Sequence, residues 1–413
     1  SESFQRLGIF GAWDKPYLTM NFNYEAKIIE SFAKIIKNGH LKRGFKPVHW
    51  CPECSSSLAE AEVEYIDKNS TAIDVKFKFD ESSNEKLISK FKLDKKKNIS
   101  LVIWTTTPWT IPGNQAICFS AEIDYQFIDS GKEYLLVAAE LLEQCLDRWK
   151  DGSYEATKIK FKGSELEGLK SLHPLYEREA PLFLGDHVTT ETGTGFVHTA
   201  PAHGVDDFNV CSGEKVKVIN PISMSNLYKD DVELFAGAHV RKVDPLVLEE
   251  LTKKEALICD ENYQHSYPHC WRHKTPLIFM ATPQWFISMT KSGLLKGASR
   301  AIQDVKFIPE WGKERMEIML KDRPDWCISR QRDWGIPITL LYENDTGELH
   351  SEQNEIFVKA SEAIKDLGID SWTNLDLGIE EDGYEKSKDI FDVWFDSGIT
   401  HYCVVDELFG SNT

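Results

Sequence analysis

Two short knuckles, Cys51-Pro52-Glu53-Cys54 and Cys270-Trp271-Arg272-His273, constrain the fold of this chain more than any other feature. They are separated by 215 residues (55–269), yet each has the spacing that offers two metal ligands from one tight turn. If they meet, they close a Cys3His tetrahedron suited to zinc and bring the ends of the intervening segment together. The segment is then an insertion stapled at its base, and the outer stretches form one body. Packing of the same four side chains without a metal satisfies the pattern equally, and the sequence leaves both open.

The patterning changes at the first knuckle. Before it, Ile28, Ile29, Phe32, Ile35 and Ile36 share one helical face, with Asn23 placed to cap the helix and Gly39 to end it. From about Glu62 the period becomes two. Ile73, Val75, Phe77 and Phe79 alternate with Asp74, Lys76 and Lys78, which predicts a half-buried strand. Residues 99–104 read as a continuous apolar strand, 125–137 as a hairpin turning at Asp129-Ser130-Gly131-Lys132, and 139–149 as a helix. Short strands and turns continue to about Cys259, so the block between the knuckles is β-rich. Residues 345–388 are polar, acidic and weakly patterned, which predicts a peripheral insertion.

At 413 residues, 41% of them hydrophobic, the chain has material for two or three domains. Its net charge is 48 − 66 = −18, which disfavours a non-specific nucleic-acid binder but leaves room for a local basic groove. No apolar run reaches the roughly 18 residues of a membrane span, and the N-terminus shows no signal segment. The nine cysteines form no disulfide ladder. A reducing, cytoplasmic compartment and a monomer are expected.

Two further segments carry chemistry. Trp104-Thr105-Thr106-Thr107-Pro108-Trp109-Thr110 crowds hydroxyls at the end of an apolar strand. The stretch from Gly193-Thr194-Gly195 through Val197-His198-Thr199-Ala200-Pro201-Ala202-His203-Gly204 to Asp206-Asp207 joins a glycine turn, two histidines and two carboxylates. Taken singly, these read as strand threonines, a hairpin turn and a satisfied core histidine. Taken together they resemble the editing site of class I aminoacyl-tRNA synthetases, most closely the isoleucyl family.

The resemblance implies a pocket that hydrolyses an ester rather than making one. Thr105, Thr106, Thr107, Asn114, His198 and Asp207 would line it. Such a reaction needs an anion for the substrate's ammonium, an acceptor that aims water, and donors for the oxyanion. Asp207 is the expected anchor, His198 would orient water or the ribose hydroxyls, and the threonines and Asn114 would surround the ester. A hydrophobic pocket rejects a missing methylene poorly, and isoleucyl enzymes facing valine are the standard instance. A second, narrower site would therefore destroy valyl-tRNA(Ile). A valyl-type enzyme and a non-catalytic tRNA-binding module are the competing readings.

The outer arms resemble the synthetic core of the same group. Trp334 and Trp394 would wall an apolar amino-acid or adenylate pocket, and Arg330 and Arg332 would meet phosphate or tRNA. The family's His-x-Gly-His turn and Lys-Met-Ser-Lys-Ser loop, which bind ATP with Mg, have no counterpart here. Ser288-Met289-Thr290-Lys291-Ser292 lies too early to be the second. The expectation is a central piece of a longer enzyme, whose full-length parent uses ATP, Mg, isoleucine and tRNA(Ile). The fold expected is α/β: a β-rich, barrel-like editing domain at 62–260 between parts of a Rossmann-type core. Residues 1–61 and 261–345 would hold core and knuckles, 346–388 the peripheral insertion, and 389–413 the second half of the core.

Overall fold

The computed structural model describes all residues except 1, 151, 152, 322, 344, 345, 380, 381, 407–409 and 411–413. The chain divides into two compact units, one formed by Ser1–Phe45, Ser56–Ala59 and Pro283–Thr413, the other by Lys46–Ser55 and Glu60–Thr282. Both knuckles fall in the second unit, not with the outer segments 1–61 and 261–345 expected to carry them.

Among the described residues, ten strands lie wholly within the second unit: β1 (Val63–Lys78), β2 (Ile99–Thr105), β3 (Ala116–Phe119), β4 (Asp124–Asp129), β5 (Tyr134–Ala138), β6 (Glu155–Lys162), β7 (Lys170–Leu172), β8 (Glu179–Leu184), β9 (Val197–Thr199) and β10 (Leu257–Cys270). They form a six-stranded sheet in the order β10-β1-β2-β5-β4-β6 and a four-stranded sheet in the order β9-β3-β8-β7. A bridge between Phe79 and Ser171 joins the sheets at one corner. Ile73, Val75, Phe77, Leu101, Ile103 and Phe127 are fully buried in their shared core. At about 1.5–3 kcal/mol for each large apolar side chain removed from water, this core stabilises the unit.

The period-two pattern gives β1 its buried face, but Asp74 on the opposite face is also buried, at 1% exposure. The hairpin turns where expected, with Gly131 at φ +83°, a conformation glycine adopts at little steric cost. The expected helix at 139–149 is Leu142–Arg148. The longest pairing, β10 against β1, runs until Cys270 stands opposite Val63. That register returns the chain from the sheet to the first knuckle.

In the first unit, helix Phe22–Lys37 is capped by Asn21, not Asn23. The Asn21 side chain accepts the Asn23 N–H at 2.9 Å, because the capping residue must itself stay extended. Gly39 follows its end at φ +76°. The helix buries Tyr24, Ile28, Ile29 and Phe32. Contrary to the peripheral assignment of 346–388, helix Gln353–Leu367 packs in the same core through Ile356, Phe357, Ala360 and Ile364. These four fall on one helical stripe, and the surrounding acidic residues masked it. No helix among the described residues is long and apolar enough to cross a membrane.

Candidate functional site

The site begins at the glycine turn. Gly193 and Gly195 hold φ of +89° and +84°, and a Cβ on Gly195 would lie 2.3 Å from the Ala138 Cβ. Only glycine fits there. The turn feeds β9, which pairs with β3 so that His198 stands opposite Ile117. Past β9 the chain turns through Gly204 into helix Val205–Gly213. Asp207, in its first turn, accepts the Ala200 N–H at 2.8 Å. A Cβ on Gly204 would come within 2.7 Å of the Asp207 Oδ2, so a larger residue there would displace the carboxylate. Burial raises the Asp207 carboxyl to about 6, with the Ala200 N–H opposing the shift.

On the other side, the end of β2 presents a chain of hydroxyls. Thr105 Oγ1 lies 3.1 Å from Thr107 Oγ1, which lies 3.1 Å from Thr110 Oγ1, which lies 2.9 Å from His198 Nε2. The second imidazole nitrogen, Nδ1, is 2.8 Å from the Asn114 amide nitrogen. That amide also donates to Ala116 O at 2.8 Å, which fixes its orientation and makes it a donor to the imidazole. Nδ1 is therefore the acceptor, and the ring proton sits on Nε2 facing Thr110. The Thr110 hydroxyl in turn donates to Thr107 O at 2.8 Å. Every link has a direction.

His198 is thus placed within the constellation but does not point a nitrogen at solvent. Burial lowers its pKa to about 3, assisted by His203 and Arg178. His203 is lowered to about 4, also by burial. Neither imidazole is charged at neutral pH, and so weak a base is poorly matched to proton abstraction. The expectation that His198 itself orients water meets a ring whose two nitrogens are both engaged by protein, Nε2 with Thr110 and Nδ1 with Asn114. Thr106 and Thr107 are half-buried, and among the described residues Thr106 Oγ1 makes no side-chain hydrogen bond. Asn114 Oδ1 is buried without a protein donor.

The knuckles meet. Cys51, Cys54, Cys270 and His273 present ligand atoms all within 4.8 Å of one another. Cys54 Sγ lies 4.0 Å from Cys270 Sγ, and His273 Nδ1 lies 3.8, 3.1 and 3.8 Å from the sulfurs of Cys51, Cys54 and Cys270. A zinc tetrahedron with Zn–S of about 2.3 Å and Zn–N of about 2.0 Å has edges of about 3.5–3.8 Å, so the donor set fits. The Cys54 N–H points at Cys51 Sγ at 3.4 Å.

Two of the four outer-arm residues meet at Asp392, whose side chain pairs with the Arg330 guanidinium and accepts the Trp394 backbone N–H. Trp334 is 72% exposed and Trp394 47%, so neither walls an enclosed pocket. Arg330 is 1% exposed, ion-paired to Asp392 at 2.9 Å and donating to Cys327 O and Ser329 O. Its guanidinium is occupied within the protein, which corrects its expected role toward phosphate. Arg332 is half-buried.

The family model described as tRNA synthetases class I (I, L, M and V) matches residues 1–411. The chain belongs to the class I tRNA synthetases. It is 50% identical to the isoleucine–tRNA ligases of Idiomarina loihiensis over 422 residues and of Vibrio parahaemolyticus over 418, and 48% identical to that of Ruthia magnifica over 410. These alignments cover 98% of the chain and 43–44% of each relative. The chain therefore spans less than half the length of the curated relatives it matches. Among solved structures, GlLeuRS-CP1 matches at 15% identity and a TM-score of 0.39, covering 46% of this chain and 98% of that one. The P. knowlesi cytosolic leucyl-tRNA synthetase editing domain matches at 14% and 0.37, covering 48% and 97%.

Within this class I synthetase chain, several residues at the site lie outside the set expected from sequence. Thr110 is the link between the hydroxyls and His198, and its place in the threonine-rich segment was the available signal. Arg178 donates to Pro112 O at 2.7 Å and Asn114 O at 2.8 Å, bracing the loop that carries Asn114. Asn226 accepts from Trp50 Nε1 at 2.8 Å and donates to Pro52 O at 3.0 Å, bracing the first knuckle. Nothing in local sequence marks these two.

Proposed function

We propose that the larger unit of this synthetase chain is a proofreading hydrolase that clears valyl-tRNA(Ile), within a parent that charges tRNA(Ile) with isoleucine using ATP and Mg. The observation that carries the reading is the directed chain Thr105–Thr107–Thr110–His198–Asn114, with Asp207 bonded two residues past His198. On this reading the Asp207 carboxylate, ionised above about pH 6, binds the ammonium of the aminoacyl ester. The partly open Thr107 hydroxyl accepts from the attacking water, and the Thr106 hydroxyl donates to the developing oxyanion. Neutral His198 holds the hydroxyl chain in register. Aminoacyl esters are already reactive, so orientation and charge placement supply the acceleration without a strong base.

Cys51, Cys54, Cys270 and His273 would hold zinc. With four protein ligands the site has no open position, so the metal's contribution is structural. The partners on this reading are tRNA(Ile), isoleucine and valine, and the chain is a monomer in the cytoplasm. Support comes from the cysteines, none of which is in a disulfide.

The test is deacylation by the purified chain. It should release valine from valyl-tRNA(Ile), spare isoleucyl-tRNA(Ile), and lose activity in Asp207→Ala. Equal hydrolysis of the two esters would defeat size exclusion, and tRNA binding without hydrolysis would favour a non-catalytic module.

A further inference from the structure

The turn that feeds the site offers three successive carbonyls, and each is caught by a different element. Arg148 Nη2 donates to Gly193 O at 3.1 Å, the Ala138 N–H to Thr194 O at 2.7 Å, and the Tyr125 hydroxyl to Gly195 O at 2.7 Å. Arg148 is itself aimed by Asp74, which takes Nε at 3.1 Å and Nη2 at 3.0 Å in a fork. Tyr125 is fully buried, with its ring 4.6 Å from that of Phe196. Among the described residues, no hydrogen bond links Asp74, Arg148 or Tyr125 to the hydroxyl chain.

A buried ion pair contributes little net stability, because desolvation offsets the attraction. Its use here is directional: the planar fork leaves one guanidinium N–H pointing at a chosen carbonyl. With glycines at 193 and 195 the turn has unusual backbone freedom. The three donors remove it.

We propose that Arg148, locked by Asp74, and Tyr125 are positioning residues of the proofreading site. They set the exit of the 193–195 turn, and with it the seating of Val197–Thr199 that carries His198 and leads to the Ala200–Asp207 bond. The activity readout rests on the proofreading reading above; the structural readout does not.

Two variants of the full chain test this. Tyr125→Phe removes one oxygen and leaves the ring, so Gly195 O loses its donor and the Ser120 N–H its acceptor. Arg148→Lys keeps a cation beside Asp74 but lacks the fork that also reaches Gly193. In each, kcat for valyl-tRNA(Ile) deacylation should fall about tenfold, with KM within about twofold, as when a buried backbone group loses its main partner; in Arg148→Lys, among the described residues, Gly193 O keeps only the Cys145 thiol at 3.6 Å. Amide exchange should quicken about tenfold at Val197–Thr199 and stay unchanged in β1 and β2. Wild-type kcat with unchanged exchange overturns the proposal. So does faster exchange spread evenly over both sheets, which would mark a general stability role. Localised exchange in a chain that leaves valyl-tRNA intact would uphold the clamp and remove the proofreading reading.

Discussion

Replacing Asp207 by Asn separates what its charge does for binding from what it costs the fold. Its carboxyl is raised from 3.8 to about 6, chiefly by burial. At 1.36 kcal/mol per unit, holding the ionised form in the free protein costs about 3 kcal/mol. A bound ammonium offsets that cost, so the carboxylate is held ready for a cation. Two consequences follow with definite sign. First, kcat/KM for valyl-tRNA(Ile) deacylation, corrected for uncatalysed hydrolysis, should rise about tenfold per pH unit below about 6 and level off above it, because it reports the free enzyme. In kcat the limb should move to lower pH, since the bound cation favours the carboxylate. Second, the folded state holds this proton to higher pH than the unfolded chain does. Its stabilising effect is full below about pH 4 and is lost as pH rises to about 6. Asp207→Asn keeps an oxygen for the Ala200 N–H without the charge. Above pH 6 it should be more stable than wild type, by up to about 3 kcal/mol in denaturant titration, while losing deacylation. A kcat/KM limb near pH 4, or a limb that survives in the Asn variant, would refute the reasoning.

Three other outcomes are expected. The purified chain should carry about one zinc by elemental mass spectrometry, and Cys270→Ser should release it and lower the melting temperature of the larger unit. Thr110→Val keeps the shape but strands the His198 Nε2–H, so deacylation should fall about tenfold while the histidine stays neutral; unchanged kcat would show that the hydroxyl chain is passive. Arg330→Met leaves Asp392 buried without its partner, which should destabilise the smaller unit by about 3–5 kcal/mol in calorimetry without altering deacylation.

The sequence carried the fold wherever a residue's environment followed from its neighbours along the chain. The alternation from Ile73 to Phe79, the apolar run of β2 and the Gly131 turn depend on local period and backbone freedom, and each is where the pattern puts it. The 353–367 helix was missed because its stripe of Ile356, Phe357, Ala360 and Ile364 is narrow and its other faces are acidic. Individual site residues were legible as a set, yet their directions were not. That His198 points both nitrogens into protein depends on Thr110 and Asn114, 88 and 84 positions away. That Arg330 is consumed by Asp392 depends on residues 62 positions apart.

Those unread contacts share a physical character that bears on how the site works. Asp74 with Arg148, and Asn226 with Trp50 and Pro52, both place polar groups in buried positions to fix a backbone direction. Such groups are costly unless fully satisfied, and once satisfied they permit few alternative arrangements. A proofreading pocket that separates two esters by one methylene needs that restriction. On the proofreading proposal, a wall able to yield by a fraction of an ångström would admit the larger ester, so discrimination would depend on stiffness rather than on affinity. The directed hydroxyl chain serves the same end, because each hydroxyl already committed to a neighbour cannot turn to accommodate a poorly seated substrate.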